Sequence, residues 1–297
     1  MTPRWGYARR RLASGIQEGG NQPQPGLSAS SRVSSACRET QSGSTSRSSF
    51  GPASLAGGLG LALLLVFRQP RPARGDLISL GVVALGVVLG FPLLTALALR
   101  HINAAQSQIF LGLLPLATAS FGVLRGGERP HLGFWIFAGL GSACVIGVAL
   151  RHGAQLPLVG VALMLAAITV CGLGYAEGAK LSRKLGGWQV ISWALALALP
   201  LMLLACWITW PDSFGQVTHD AWAGLAYVSA FSMLLGFVFW YRGLALGGIA
   251  AVGQLQLLQP ALGLAASALV LHETVPPVML ATTAAIVLCV AGAKRFT

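Results

Sequence analysis

From residue 50 to its end, the chain is a succession of long apolar runs broken by short polar turns. A helix that crosses a bilayer needs about 20 mostly apolar residues. Nine stretches fit that description: 50–67, 77–99, 104–124, 132–150, 157–179, 188–210, 221–241, 248–271 and 276–293. The first run has 18 residues and covers about 27 Å at 1.5 Å per residue, barely a hydrocarbon core. The turns hold the charges, and none is long enough for a soluble domain. Residues 1–49 differ. They have no apolar run and no periodicity, and they read as a disordered tail. They lack the apolar core of about 7–15 residues that a secretory signal needs.

Composition narrows the class. Charged residues are only 9% of the chain, against about 25% in ordinary soluble domains. Mean hydropathy is +0.70. So few charges cannot cover the surface of a soluble protein. The fold class is therefore an all-α polytopic membrane protein.

Charge then sets the expected orientation. Net charge is +12. Arg68, Arg71, Arg74, Arg125, Arg129, Lys180, Arg183, Lys184, Arg242, Lys294 and Arg295 all fall in turns on one side of the membrane. The other side has only Arg100 and Arg151. Basic loops stay in the cytoplasm, so the C-terminus is expected there and the protein in the cell (inner) membrane. The loop WPDSFGQVTHD is then external. With nine spans the tail, which carries seven arginines, would also lie outside, against the same tendency. A tenth, N-terminal helix would remove that conflict.

Two stretches correspond at an offset of 145 residues. Pro115 matches Pro260, Glu128 matches Glu273 and Gly147 matches Gly292, with Leu113 on Leu258 and Leu124 on Leu269 between them. Each reads as a helix with a central proline, a short acidic turn and another helix. By the charge count Glu128 is cytoplasmic and Glu273 external, so the copies are inverted. Inverted repeats are a recurring plan of secondary transporters, with the substrate near the midplane.

The turns LRGGERP (124–130) and LVLHETV (269–275), each after a helix with a central proline, resemble the drug/metabolite transporter superfamily, EamA type. QIFLGLLPLATA (108–119) and VGQLQLLQPALG (252–263) sit where that family places its fourth and ninth helices. The resemblance covers about residues 51–297. It implies two inverted repeats of five helices and the movement of small metabolites, often outward. On that plan residues 50–150 form a first repeat without its first helix, and 157–293 form a second. Polar residues stand where the first helix is expected, so 1–49 is read as disordered or mis-framed. No methionine lies between Met1 and Met164 to serve as an internal start.

Polar side chains inside spans are costly and therefore informative. Gln256 and Gln259 share a helical face. From a start near Ile249, Gln259 lies about 15 Å along the helix, near the midplane. Pro260 cannot donate its N–H and leaves a carbonyl that a cavity can serve. These three are substrate-site candidates, although glutamines can equally bridge helices. Repeat symmetry adds Gln108 and Pro115, the latter as a kink or hinge. Tyr175 and Trp240 can stack on a solute, or simply pack or anchor at the interface. Glu177 is a candidate coupling group for a proton, against the plainer reading of a solvated pair with Lys180. Glu128 and Glu273 read as capping or loop-fixing residues. Gly86-x3-Gly90 and Gly174-x3-Gly178 are signals for close helix packing.

The expected function is a secondary transporter for a small neutral or zwitterionic, amino-acid-like metabolite, working as an exporter by alternating access. Scarce buried charge argues against a strongly charged solute. A membrane-embedded enzyme would need converging His, Asp or Glu within spans, and Glu177 alone is available. A truncated or mis-framed product that transports nothing is the other alternative. The five cysteines show no metal-ligand spacing and no nucleotide motif occurs, so no cofactor and no metal are expected. Expected partners are the solute and the lipid bilayer, with a homodimer left open. No nucleic acid is expected, since nothing aromatic interleaves the tail's arginines.

Overall fold

The computed structural model describes residues 45–102, 104–150, 157–208, 219–259, 262 and 277–296. Pro260, Glu273, residues 1–44 and the side chain of Gln108 lie outside the described residues. What is described is helical, with no strand among the described residues. In chain order the helices are α1 (Thr45–Val66), α2 (Arg74–Ala98), α3 (Ala104–Leu111), α4 (Leu114–Gly126), α5 (Leu132–Leu150), α6 (Leu158–Leu185) and α7 (Gly187–Ile208). Next come α8, which starts at His219 and ends at Gly247, α9 (Ile249–Gly253) and α10 (Pro277–Arg295). A 3₁₀ stretch, Gln254–Leu258, extends α9. α2, α6, α7 and the Trp222–Gly247 part of α8 are each long and apolar enough to cross a bilayer.

Two boundaries differ from the sequence reading. α1 starts at Thr45 and has 22 residues, longer than the 18 of its apolar run. Extending a formed helix costs far less than nucleating one, so polar residues can join its end. The run 104–124 is not one kinked helix. It breaks at Gly112–Leu113, and Pro115 stands in the first turn of α4. There its missing N–H would have had no intrahelical partner. The proline begins a helix instead of bending one.

The offset of 145 recurs in the elements themselves. α2 starts at 74 and α8 at 219; α3 starts at 104 and α9 at 249; α5 spans 132–150 and α10 spans 277–295. The match reaches a backbone irregularity. α2 contains a π-helical segment, Ala84–Gly90, closed by the Phe91 N–H on the Gly86 carbonyl. α8 contains another, Val228–Leu235, closed by the Gly236 N–H on the Phe231 carbonyl. Both are donors bonding five residues back, and 91 and 86 map onto 236 and 231. Four crossings (α3 with α4, α5, α6 and α7) lie between α2 and α8, so the chain reverses direction five times from one to the other, and the repeats are inverted.

Packing follows the small residues. α1 lies along α7, where a Cβ on Gly60 would stand 3.3 Å from the Ser192 Cα. α5 lies along α10, where a Cβ on Gly292 would meet the Phe137 ring at 2.6 Å. α6 runs through the centre against α2 and α4. A Cβ on Gly86 would meet the Val170 carbonyl oxygen at 2.5 Å, and one on Gly172 the Ala117 carbonyl carbon at 3.0 Å. The two glycine signals thus meet each other: the Gly174 Cα lies 3.6 Å from that Gly86 Cβ position. Large apolar side chains such as Leu65, Ile78, Phe239 and Leu288 face outward, as a lipid-facing surface requires.

Cys144 and Cys289 are also 145 apart and lie on α5 and α10, which pack together; a Cβ on Gly141, one turn before Cys144, would stand 3.4 Å from the Cys289 Cβ. Copper-phenanthroline oxidation is expected to join them, since a disulfide needs Cα atoms within about 7 Å. A protease site inserted at residues 151–156 gives the readout. Two fragments that stay together without reductant support this interface, and fragments that separate contradict it.

Candidate functional site: the junction of the two repeats

The ion pairs among the described residues cluster at one end of the helices and cross between repeats. α6 supplies Glu177, whose side chain is 1% exposed. Arg125, at the end of α4, donates Nε to Glu177 Oε1. Ser79 of α2 donates to Glu177 Oε2 at 2.8 Å. Glu177 therefore ties two helices of the first repeat to the second. The expected partner was Lys180, but that residue is exposed. The carboxylate points inward, and the cation that reaches it comes from another helix. Lys184 Nζ lies 2.7 Å from Asp76 Oδ2. Glu128 accepts the Ile249 N–H at 2.6 Å and the Ala250 N–H at 2.8 Å. It thus caps α9, which belongs to the other repeat.

Beside this network lies an aromatic cluster. Tyr175 of α6 meets Trp240 of α8 edge-on, with centroids 5.5 Å apart, and Tyr241 at 6.4 Å. Phe237 closes the group, 6.3 Å from Tyr175 and 5.9 Å from Tyr241. Tyr241 is fully buried, and its hydroxyl donates to the Gly174 carbonyl at 3.5 Å. Gly178 makes room for it, since a Cβ there would fall 2.1 Å from the tyrosine ring. Several buried polar atoms have no protein partner: Trp240 Nε1, Gln256 Oε1 and both amide atoms of Gln254. Such atoms are rare and need an explanation.

The structure brings Tyr175 and Trp240 together, as candidates for one site. Gln256 is half-buried, one turn beyond Val252, which packs on the same aromatic core. Gln259 is exposed, on the face shared with exposed Leu255 and Leu262. Pro115 is buried at the start of α4. Sequence reasoning missed Ser79, Arg125, Asp76 and Arg183. A signal existed: acidic residues are so few that each one at a helix end asks for a partner.

A model of the EamA-like transporter family matches the chain twice, over residues 37–150 and 158–293. The chain belongs to the EamA-like transporter family. It is 62% identical over 244 residues to the "Uncharacterized transporter YdeK" of Bacillus subtilis (strain 168), covering 82% of this chain and 85% of that one. A solved crystal structure superposes with a TM-score of 0.73 at 17% identity, over 89% of this chain and 93% of the other, a likeness of fold. The molecule is thus a multi-pass membrane transporter built from inverted repeats. Its ion pairs and its aromatic cluster lie where the repeats meet.

Proposed function

We propose that this transporter carries a small neutral or zwitterionic, amino-acid-like metabolite out of the cell across the inner membrane by alternating access. One observation carries the reading. Trp240 Nε1, beside the Tyr175 ring, is a buried polar atom without a partner, and so is Gln256 Oε1, on the 3₁₀ stretch that packs against α4 and α10. A solute with its own donor and acceptor groups and a compact apolar part would satisfy them. Glu177, the buried carboxylate nearest in sequence to Tyr175, is engaged by Arg125 and Ser79. A net charge on the solute would have no counter-charge there. Glu177 remains the coupling candidate, since a proton on its carboxylate would release Arg125. The basic turns support a cytoplasmic C-terminus in this reading.

The test is efflux of an amino-acid and antimetabolite panel from a strain with this gene deleted and restored. Trp240→Ala and Gln256→Ala should each lower transport of the responding solute about tenfold, the scale of one lost hydrogen bond or ring contact. Unchanged rates in both variants would remove this site.

A further inference from the structure

We propose that Glu128 is the latch that closes the basic end of the transporter, and that release of its cap on α9 is the step that opens this end. The helix it caps lacks a cap of its own. Gly248, the residue before Ile249, has no side chain to offer the free N–H groups, and it adopts φ +87 to turn the chain from α8 into α9. A helix start leaves its first amide hydrogens without intrahelical partners. Here a carboxylate from the other repeat supplies both acceptors, through Oε1 and Oε2. An anion at that position also complements the helix dipole.

The geometry that delivers Glu128 is specific. α4 ends on Gly127 in the left-handed conformation, φ +71, and the Glu128 N–H then returns to the Gly122 carbonyl at 3.3 Å. This turn aims the side chain across the junction. Close approach is needed as well: a Cβ on Gly122 would stand 3.0 Å from the Ile249 side chain, and one on Gly126 only 2.6 Å. Arg183 of α6 completes the arrangement. Its Nη2 lies 3.3 Å from Glu128 Oε1, and its Nε donates to the Ala245 carbonyl at 3.2 Å. One carboxylate of the first repeat therefore holds α6 and α9 of the second, with the end of α8 held through Arg183. Arg125–Glu177 and Lys184–Asp76 cross the same junction at the same end. Charge-assisted bonds of this kind are stronger than neutral ones, and they can form only while the two repeats are in contact here. Opening this end must break them.

The proposal rests on the alternating-access reading, and its test needs no substrate, so its outcome can be read whether or not a transported solute is found. Nitroxide labels go on Gly75→Cys and Leu246→Cys, with the native cysteines replaced. Gly75 has nothing within 4 Å of its Cβ position, and Leu246 is 79% exposed. They report on the first and second repeats at the basic end. Pulsed dipolar distances are measured on the full chain in lipid nanodiscs. Glu128→Ala should raise a longer-distance population about fivefold or more, the range of ordinary coupling energies. Glu128→Gln keeps an acceptor for one N–H but loses the ion pair with Arg183, so it should fall between. Arg129→Ala, in the same turn and exposed, should match the parent. Identical distributions in folded Glu128→Ala and parent would overturn the latch, as would an equal shift in Arg129→Ala. If Glu128→Ala does not fold, Glu128→Gln and Arg183→Ala decide in the same way.

Discussion

Replacing Arg125 by alanine is expected to destabilise the protein by about 3 kcal/mol, because it strands a buried carboxylate. Glu177 is almost fully enclosed, while Arg125 is 52% exposed. The two partners are therefore not equivalent. The arginine can find water when freed, whereas the glutamate keeps only the Ser79 hydroxyl. Removing one member of a buried pair costs about 3–5 kcal/mol, and solvent at the arginine places this pair at the low end. The companion expectation separates pairing from packing. The double variant Arg125→Met/Glu177→Met should recover most of the loss, since apolar replacements leave no unmatched charge. Ser79→Ala should cost only about 1 kcal/mol, one hydrogen bond. Thermal unfolding in detergent, read as a double-mutant cycle, measures all of these. If Arg125→Ala unfolds at the parent temperature, the pair contributes nothing to stability. Strictly additive losses would mean that the two residues act independently.

Gly86→Ala is expected to have a comparable effect through sterics alone. Its Cβ would lie 2.5 Å from the carbonyl oxygen of Val170, a backbone atom of α6. A side chain could rotate away, but a helix carbonyl cannot. The whole α2–α6 contact must open, and this is the contact that carries one repeat against the other. Overpacking a core costs about 1–3 kcal/mol, and a rigid obstacle favours the upper end. Transport should fall to background, because the shift moves Val87, which packs on Gly174. Gly81→Ala in the same helix is the control. Nothing lies within 4 Å of its Cβ position. Alanine there should be neutral or add up to about 1 kcal/mol of helix stability. Equal behaviour of the two variants would show that the close approach at Gly86 does not matter.

Much of the architecture was readable from residue order. The apolar runs marked the crossings, because a segment that leaves water must satisfy its backbone internally and do so over a fixed length. The offset of 145 residues was visible from Pro115, Glu128 and Gly147 alone, and the helix starts at 74, 104 and 132 recur at 219, 249 and 277. The glycine spacings correctly marked close packing. Pro115 stood out as a kink or hinge, and the structure puts it at the start of α4 just after a break in the run, since a proline that kinks a helix and one that starts a helix look alike in a string of apolar residues. The π-helical segments had no signature in the sequence. They arise where one extra residue is accommodated within a packed helix, which is a property of its neighbours.

The site divides in the same way. Glu177, Tyr175, Trp240 and Gln256 stood out in the sequence because polar and aromatic groups inside a bilayer carry a cost that each residue bears wherever its helix happens to pack. Which group answers each of them did not follow. Glu177 meets an arginine 52 positions away, and Glu128 meets amides 121 and 122 positions away. Those meetings depend on how two inverted repeats come together, and a local pattern holds no record of that. Residue order reports what each segment must bury, while the choice of partner is made only when the helices pack.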